Sequence, residues 1–483
     1  MLHRPHVVAI FILAAVGYAG SFSLRARAPL RGIQNATFAT SNYGLVLDAG
    51  SSGSRLHIFK WTLSEVVNLQ EVLPGDEDEH LFKTKPGLSS YIDDPSGAGV
   101  SLLPMINAAR NYIPQAQWRE SPLFVKATAG LRILDASQVE SLLDAVREQL
   151  RNSDKCPFQF VSAEVISGEQ EAGLAYISSN YALGSLRSGL KKIGSLEMGG
   201  ASMQVAFKPA GDIHDHEFHF YLDQHREAIY GKSYVRFGVN AAIDRMFAFL
   251  TDRSPTQLEV ASPCHIKGFK EMKHVSARNL TLVGTGNFSE CRMVVRKLLG
   301  LDVECLMPPC AIFGTYMPKA SAQFYAFAGF FYAVNGLGLV AWKESKVVTP
   351  AEIAQATRSF CLKDLKEEVR ASGRPTEYVQ TYCFLGTYVS EILSAFGFAL
   401  EDTSITYSNK VAGNSLGWPI GAMLYEMKLM PLELKTDRGM SALCSPPNSS
   451  AAQIRSNAYY MQPAASTMTV IALALFQVSS WAS

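Results

Sequence analysis

The sequence predicts an α/β protein built as two related lobes, with its functional site in the cleft between them. Three observations carry that expectation. Strand and helix signals alternate through the first third of the chain. A Gly/Ser loop set between strand-like runs occurs twice, roughly 150 residues apart. The 483 residues also exceed what one ordinary core accommodates.

The first loop lies in Asp48-Ala49-Gly50-Ser51-Ser52-Gly53-Ser54-Arg55. The run Tyr43 to Leu47 enters it and Leu56-His57-Ile58-Phe59 leaves it, so a hairpin is expected. Glycine lets backbone approach a ligand closely, and successive amides form a concave anion site. The serine hydroxyls suit phosphoryl oxygens, and Asp48 is placed to hold a metal ion through its waters. The second copy is Glu197-Met198-Gly199-Gly200-Ala201-Ser202-Met203-Gln204, again an acidic strand end with glycine two positions on. One such loop alone is an ordinary hairpin turn. The pair suggests two lobes that each offer a phosphate loop, the layout of the actin, sugar-kinase and heat-shock ATPase superfamily.

In chain order, residues 1–21 read as a signal peptide, with an apolar run from Val7 to Val16 and small residues from Gly17 to Ser21. Lobe I is expected over 43–165, completed by 406–435, and lobe II over 166–405. Leu123 to Ala127 reads as a buried strand running into a small-residue turn that ends at Arg132. Gln138 to Leu150 is an amphipathic helix with Val139, Leu142, Leu143, Val146 and Leu150 on one face. A strand over 158–166 leads into Ser167 to Gly173, which opens a helix through Tyr181. His214, His216, His219 and His225 match no metal-ligand spacing and read as solvated surface. Phe324 to Tyr332 reads as an aromatic-rich helix, and Thr349 caps another that starts at Pro350. Residues 436–463 are linker-like. An apolar tail follows over 464–483, with small residues at Ser449, Ser450 and Ala451 and no cationic stop. That is the grammar of a GPI-attachment signal, with a membrane span as the alternative.

A formal charge of +1 with 18% charged residues argues against a nucleic-acid surface. Sequons at Asn279 and Asn287, with further ones at Asn35 and Asn448, fit N-glycans on a secretory route. Eight cysteines in that setting imply disulfides. Cys305 and Cys310 can close a small loop, Cys361 and Cys383 flank helical segments, and Cys264 and Cys291 bracket a polar excursion. Cys156 and Cys444 remain, to pair or to stay free. The lack of a CxxC motif disfavours zinc.

Five stretches taken together resemble the five conserved regions of the ecto-nucleoside triphosphate diphosphohydrolases (apyrases), in family order. They are Asp48 to Arg55, Lys126-Ala127-Thr128-Ala129-Gly130-Leu131-Arg132, Gly168 to Gly173, Leu196 to Gln204, and Gly417-Trp418-Pro419-Ile420-Gly421. Lys85-Pro86-Gly87-Leu88-Ser89 and the cysteine positions look closest to the secreted, nucleoside-diphosphate-preferring branch. The resemblance implies metal-assisted hydrolysis of terminal phosphoanhydrides by a directly attacking water. Glu171 would be the general base, with Ser202 and Gln204 holding the water. Asp48, Glu197 and Thr128 would serve the Ca²⁺ or Mg²⁺ site. Phosphates would be held by Ser51, Ser52, Gly53, Ser54 and Arg55 on one side and by Gly199, Gly200 and Ala201 on the other. Tyr332, with Tyr388 as second candidate, would stack on the base. Two positions depart from the family pattern: Glu197 stands where aspartate is usual, and Ala172 where glycine is usual. They motivate an alternative, a nucleotide-binding or adhesion module whose chemistry has lapsed. A polyphosphate or guanosine-polyphosphate hydrolase of the same superfamily fits the signal segment, sequons and cysteines poorly.

Overall fold

Two sheets with the same strand order organise the protein. The computed structural model describes residues 41–429, except 63–66, 73–78, 188, 223–224, 255, 276–277 and 412–413. The signal segment, the linker, the apolar tail, Asn35, Asn448 and Cys444 lie outside the described residues. All described residues belong to one compact unit.

The first sheet comprises β1 (Asn42–Ala49), β2 (Ser54–Thr62), β3 (Asn68–Val72), the short β4 (Lys83–Thr84), β5 (Pro122–Ala127) and β6 (Gln159–Val165). Its order is β3-β2-β1-β5-β6, with β4 on β2. β1, β2 and β3 form an antiparallel meander, while β5 and β6 run parallel to β1. The chain continues with β7 (Gly194–Met198), β8 (Ser202–Phe207), β9 (Glu217–Leu222) and β10 (His225–Val235). A separate three-stranded sheet follows, β11 (Glu259–Ser262), β12 (Lys270–Val275) and β13 (Arg278–Gly284). Then come β14 (Phe324–Ala328), β15 (Lys346–Val347) and β16 (Ile405–Tyr407). The second large sheet runs β15-β16-β14-β7-β8-β10-β9. Its antiparallel arm is β7-β8-β10, and its parallel arm is β14 and β16. Without the edge strands β9 and β15 it repeats the first sheet, so the duplicated loops occupy matching corners, β1–β2 and β7–β8.

Alternation assigns the faces. Leu45, Leu47, Leu123 and Val125 pack outward with the helix Ala136–Arg151, whose Leu142, Leu143, Val146 and Leu150 are buried as its periodicity predicts. Val46, Phe59 and Phe124 face inward and share one core with Ala206, Phe218, Phe220, Ile229 and Phe327 of the second sheet. Two helices fill that shared layer, Gly168–Ala182 and the closing helix Trp418–Glu426. They cross closely: a methyl at Gly421 would overlap the Leu174 carbonyl oxygen.

Disulfides join Cys264 to Cys291, Cys305 to Cys310 and Cys361 to Cys383. Cys156 is buried and has no disulfide partner among the described residues. Two expectations need correction. Phe324 to Ala328 is a strand, β14, and the helix begins only at Gly329. A central parallel strand is buried on both faces, so its apolar run lacks alternation and imitates a helix. His216 is not solvated surface. Its ring lies 3.4 Å from Glu169 and 2.8 Å from the Lys232 ammonium, against the start of the Gly168–Ala182 helix.

Candidate active site

The first loop occupies residues 50–53 between β1 and β2, which pair from Ala49↔Ser54 backward. Among the described residues the amides of Ser51 and Ser52 meet no internal backbone acceptor. Two close approaches hold the loop from behind. A methyl at Gly87 would come 2.6 Å from the carbonyl oxygens of Gly50 and Ser51, and one at Gly130 would lie 2.7 Å from the Ser51 Cα. The second loop is a tighter turn. Gly199 donates to Ser202 O at 2.9 Å, so that amide is spent, while the carbonyls of Gly199 and Gly200 cap the helix Val239–Asp252. The two loops face each other, since a methyl at Gly200 would sit 3.0 Å from Ser51 Oγ and 3.7 Å from Ser52 Oγ.

Between them lie the carboxylates. Asp48 is the next-to-last residue of β1, and the Thr128 amide donates to the adjacent Ala49 O at 3.3 Å. Glu197 is the next-to-last residue of β7, on one rung with Gln204 of β8 and Ser233 of β10. Glu171 lies in the first turn of the Gly168–Ala182 helix, which the Ser167/Gln170 capping box starts. Gln204 Nε2 donates toward Glu171 Oε2 at 2.9 Å, Ser202 Oγ at 2.7 Å and Ser233 Oγ at 2.9 Å. An amide nitrogen has two hydrogens, so the three acceptors share them. The Arg132 guanidinium pairs with Glu171 Oε2. Burial pushes the Glu171 carboxyl up to about 7, against the pull of Arg132. Burial also raises Asp48, and raises Glu197 well above the carboxylate range with help from the charges of Glu171 and Asp48. Asp48 Oδ1, Glu197 Oε2 and Gln204 Oε1 are buried with no hydrogen-bond partner among the described residues.

Tyr332 is half exposed on the helix Gly329–Gly336 and stacks on Trp342. Burial raises the Tyr332 hydroxyl, while the charge of Arg55 lowers it and that of Glu79 raises it; the Tyr378 hydroxyl acts in the same direction as Glu79. Tyr388 is not brought to the cleft. It is fully buried, stacked on Phe384, and donates its hydroxyl to Phe237 O at 2.9 Å. Three neighbours carry no role in the sequence reading: Arg132, Ser233 and Tyr378. Arg132 ends a motif and was open to assignment. Ser233 sits in a polar strand, and only register reveals its rung with Gln204.

The departures are accommodated locally. The Ala172 methyl is fully buried and faces Gly231, where an added Cβ would lie 3.5 Å away. A Cβ at Gly417 would lie 3.9 Å from Glu197 Oε1, in ordinary contact.

A buried, partly neutralised carboxylate held by an amide, between two backbone loops from paired lobes, defines a two-lobed phosphohydrolase. A model of the GDA1/CD39 (nucleoside phosphatase) family matches residues 35–440, and the chain belongs to that family. Ectonucleoside triphosphate diphosphohydrolase 8 of Bos taurus is 33% identical over 432 residues, covering 81% of this chain and 84% of that protein. Probable apyrase 3 of Arabidopsis thaliana is 32% identical over 407 residues, covering 80% and 82%. The crystal structure of nucleoside triphosphate hydrolases from Neospora caninum superposes with a TM-score of 0.60 at 14% identity, covering 80% of this chain and 92% of that one. That likeness speaks to the two-lobed fold.

Proposed function

We propose that this chain removes the terminal phosphate from nucleoside di- and triphosphates, with UDP- and GDP-type diphosphates favoured, by direct attack of water. The observation that carries the reading is the Glu171–Gln204–Ser202 network, set between the two loops. Gln204 and Ser202 orient the water, and Glu171 takes its proton as the new P–O bond forms and the bridging P–O bond breaks. Amides of Ser51 and Ser52 on one lobe, and of Gly200 and Ala201 on the other, stabilise the charge that develops on the phosphoryl oxygens. Arg55 is exposed just after the first loop, and Tyr332 offers a half-exposed ring to the base.

The residues fit a divalent cation, Ca²⁺ or Mg²⁺. Asp48 Oδ1 and Glu197 Oε2 are buried carboxylate oxygens without hydrogen-bond partners among the described residues, and Thr128 follows β5 next to the end of β1. Among the described residues no three His, Cys, Asp or Glu side chains converge tightly enough to ligate a metal directly, which suits a hydrated ion held through waters. A bound cation would neutralise charge on the phosphates. The reading extends to a lumenal or extracellular setting, with glycans on the exposed Asn279 and on Asn287, and to a possible GPI anchor supplied by the tail.

Phosphate release by the purified protein tests this, with UDP, GDP, ADP and ATP, with Ca²⁺, Mg²⁺ or EDTA, beside Glu171→Ala. Metal-dependent turnover lost by at least about a thousandfold in the variant is expected. If wild type and variant bind nucleotide yet are equally inert, the hydrolase reading falls and the binding module stands.

A further inference from the structure

Lys126 is a buried lysine in a motif whose other members the proposed chemistry uses. Its side chain is 2% exposed, and it sits on β5 on one rung with Asp48 of β1 and Glu164 of β6. Residues on a rung project from the same face, and adjacent strands are about 4.8 Å apart. A lysine stem spans that gap easily, so Asp48 and Glu164 are equally placed acceptors for this ammonium. The ammonium turns to the side away from Asp48. It pairs with Glu164 and, at 2.5 Å, with Glu426. Among the described residues Asp48 Oδ1 is left without a hydrogen-bond partner, and the cation on its rung in the neighbouring strand β2 is Arg55.

Glu426 breaks a local rule to make this contact. It is the last residue of the closing helix, where the helix dipole disfavours an anion. Rule-breaking of that kind is expected at functional sites. Two carboxylates on one lysine also exceed what neutralising it requires.

We propose that Glu164 and Glu426 form a clamp that withholds Lys126 from Asp48, so that the Asp48 carboxylate stays open to a divalent cation. Lys126 is thus a positioning residue that acts through what it is kept from touching. The proposal rests on the reading of Asp48 as a cation-holding carboxylate, and the test separates the two.

Ca²⁺ binding is measured calorimetrically on the full chain with saturating non-hydrolysable nucleotide analogue. Glu164→Gln/Glu426→Gln frees the ammonium, and Ca²⁺ affinity is expected to fall at least about tenfold. Adding Lys126→Met to that pair removes the competing cation and is expected to restore affinity to within about threefold of wild type. A purely structural clamp would not show this rescue of affinity at matched folded fraction. The clamp is overturned if the double variant binds Ca²⁺ as wild type does, or if the triple variant binds as weakly as the double. Asp48→Asn tests the premise: if it binds Ca²⁺ like wild type, the assignment of Asp48 falls and the clamp with it.

Discussion

Glu171 is held between opposing pulls. Burial favours its neutral form, while Arg132 and the Gln204 amide favour the charge, and the balance lies near 7. A general base must be ionised to accept a proton, so activity should be low where Glu171 is protonated and rise as pH increases through about 7. The expected kcat/KM profile climbs about tenfold per pH unit on its acidic limb and levels above neutrality. The substrate's phosphate also titrates in this range. Nucleotide binding to Glu171→Gln across the same pH series supplies the correction, since that variant keeps the substrate's titration and loses the base's. An acidic limb that vanishes after correction would remove Glu171 from the proton transfer. Glu197 and Ala172 stand beside this residue as departures from the family pattern. The Ala172 methyl is taken into the core opposite Gly231, and Glu197 Oε1 lies against Gly417.

The crossing of Gly168–Ala182 and Trp418–Glu426 does at the element scale what Gln204 does for a single carboxylate. One helix carries Glu171, and the other begins at Gly417 beside Glu197. Gly421 makes the crossing possible, because a methyl there would overlap the Leu174 carbonyl oxygen. Gly421→Ala should therefore force the helices apart, at a cost of about 1–3 kcal/mol. Thermal unfolding checks the cost, and a loss of kcat beyond the loss of folded protein checks the displacement of Glu171. An unchanged midpoint would mean the crossing is looser than drawn. Legibility divides along this same line. The hairpin loops and the Ala136–Arg151 helix follow from alternation, periodicity and glycine placement, which are local. The helix start at Gly168 is legible too, through the Ser167/Gln170 box. Strand β14 was not, because burial on both faces erases its alternation. Tyr388 was misplaced for a related reason: an aromatic residue in a helix looks alike whether it faces a cleft or a core. Ser233 and the Lys126 clamp depend on register between distant strands, which no single stretch of sequence encodes.

Across the whole molecule the covalent constraints are unevenly spread. All three disulfides among the described residues fall between Cys264 and Cys383, within the part built on the second sheet. Among the described residues the first sheet and its outer helices carry only the buried Cys156, which has no disulfide partner there. The loops closed by Cys264–Cys291 and Cys361–Cys383 span 27 and 22 residues, each worth about 3.5 kcal/mol in the chain-entropy account. Among the described residues the first lobe has no such support, and the shared core between the sheets is what couples the two. Reduction should therefore destabilise the lobes unequally and divide unfolding into steps, since cooperativity holds only while neither lobe is marginal alone. Calorimetry with and without a strong reductant is the check. The oxidised protein should unfold in one main transition. The reduced protein should show an earlier transition assigned to the second lobe, recognised by new proteolytic cuts between residues 264 and 383 and few in β1 to β6. A single transition that shifts as a whole would mean the shared core dominates. In that case the disulfides would stabilise the two lobes as one body.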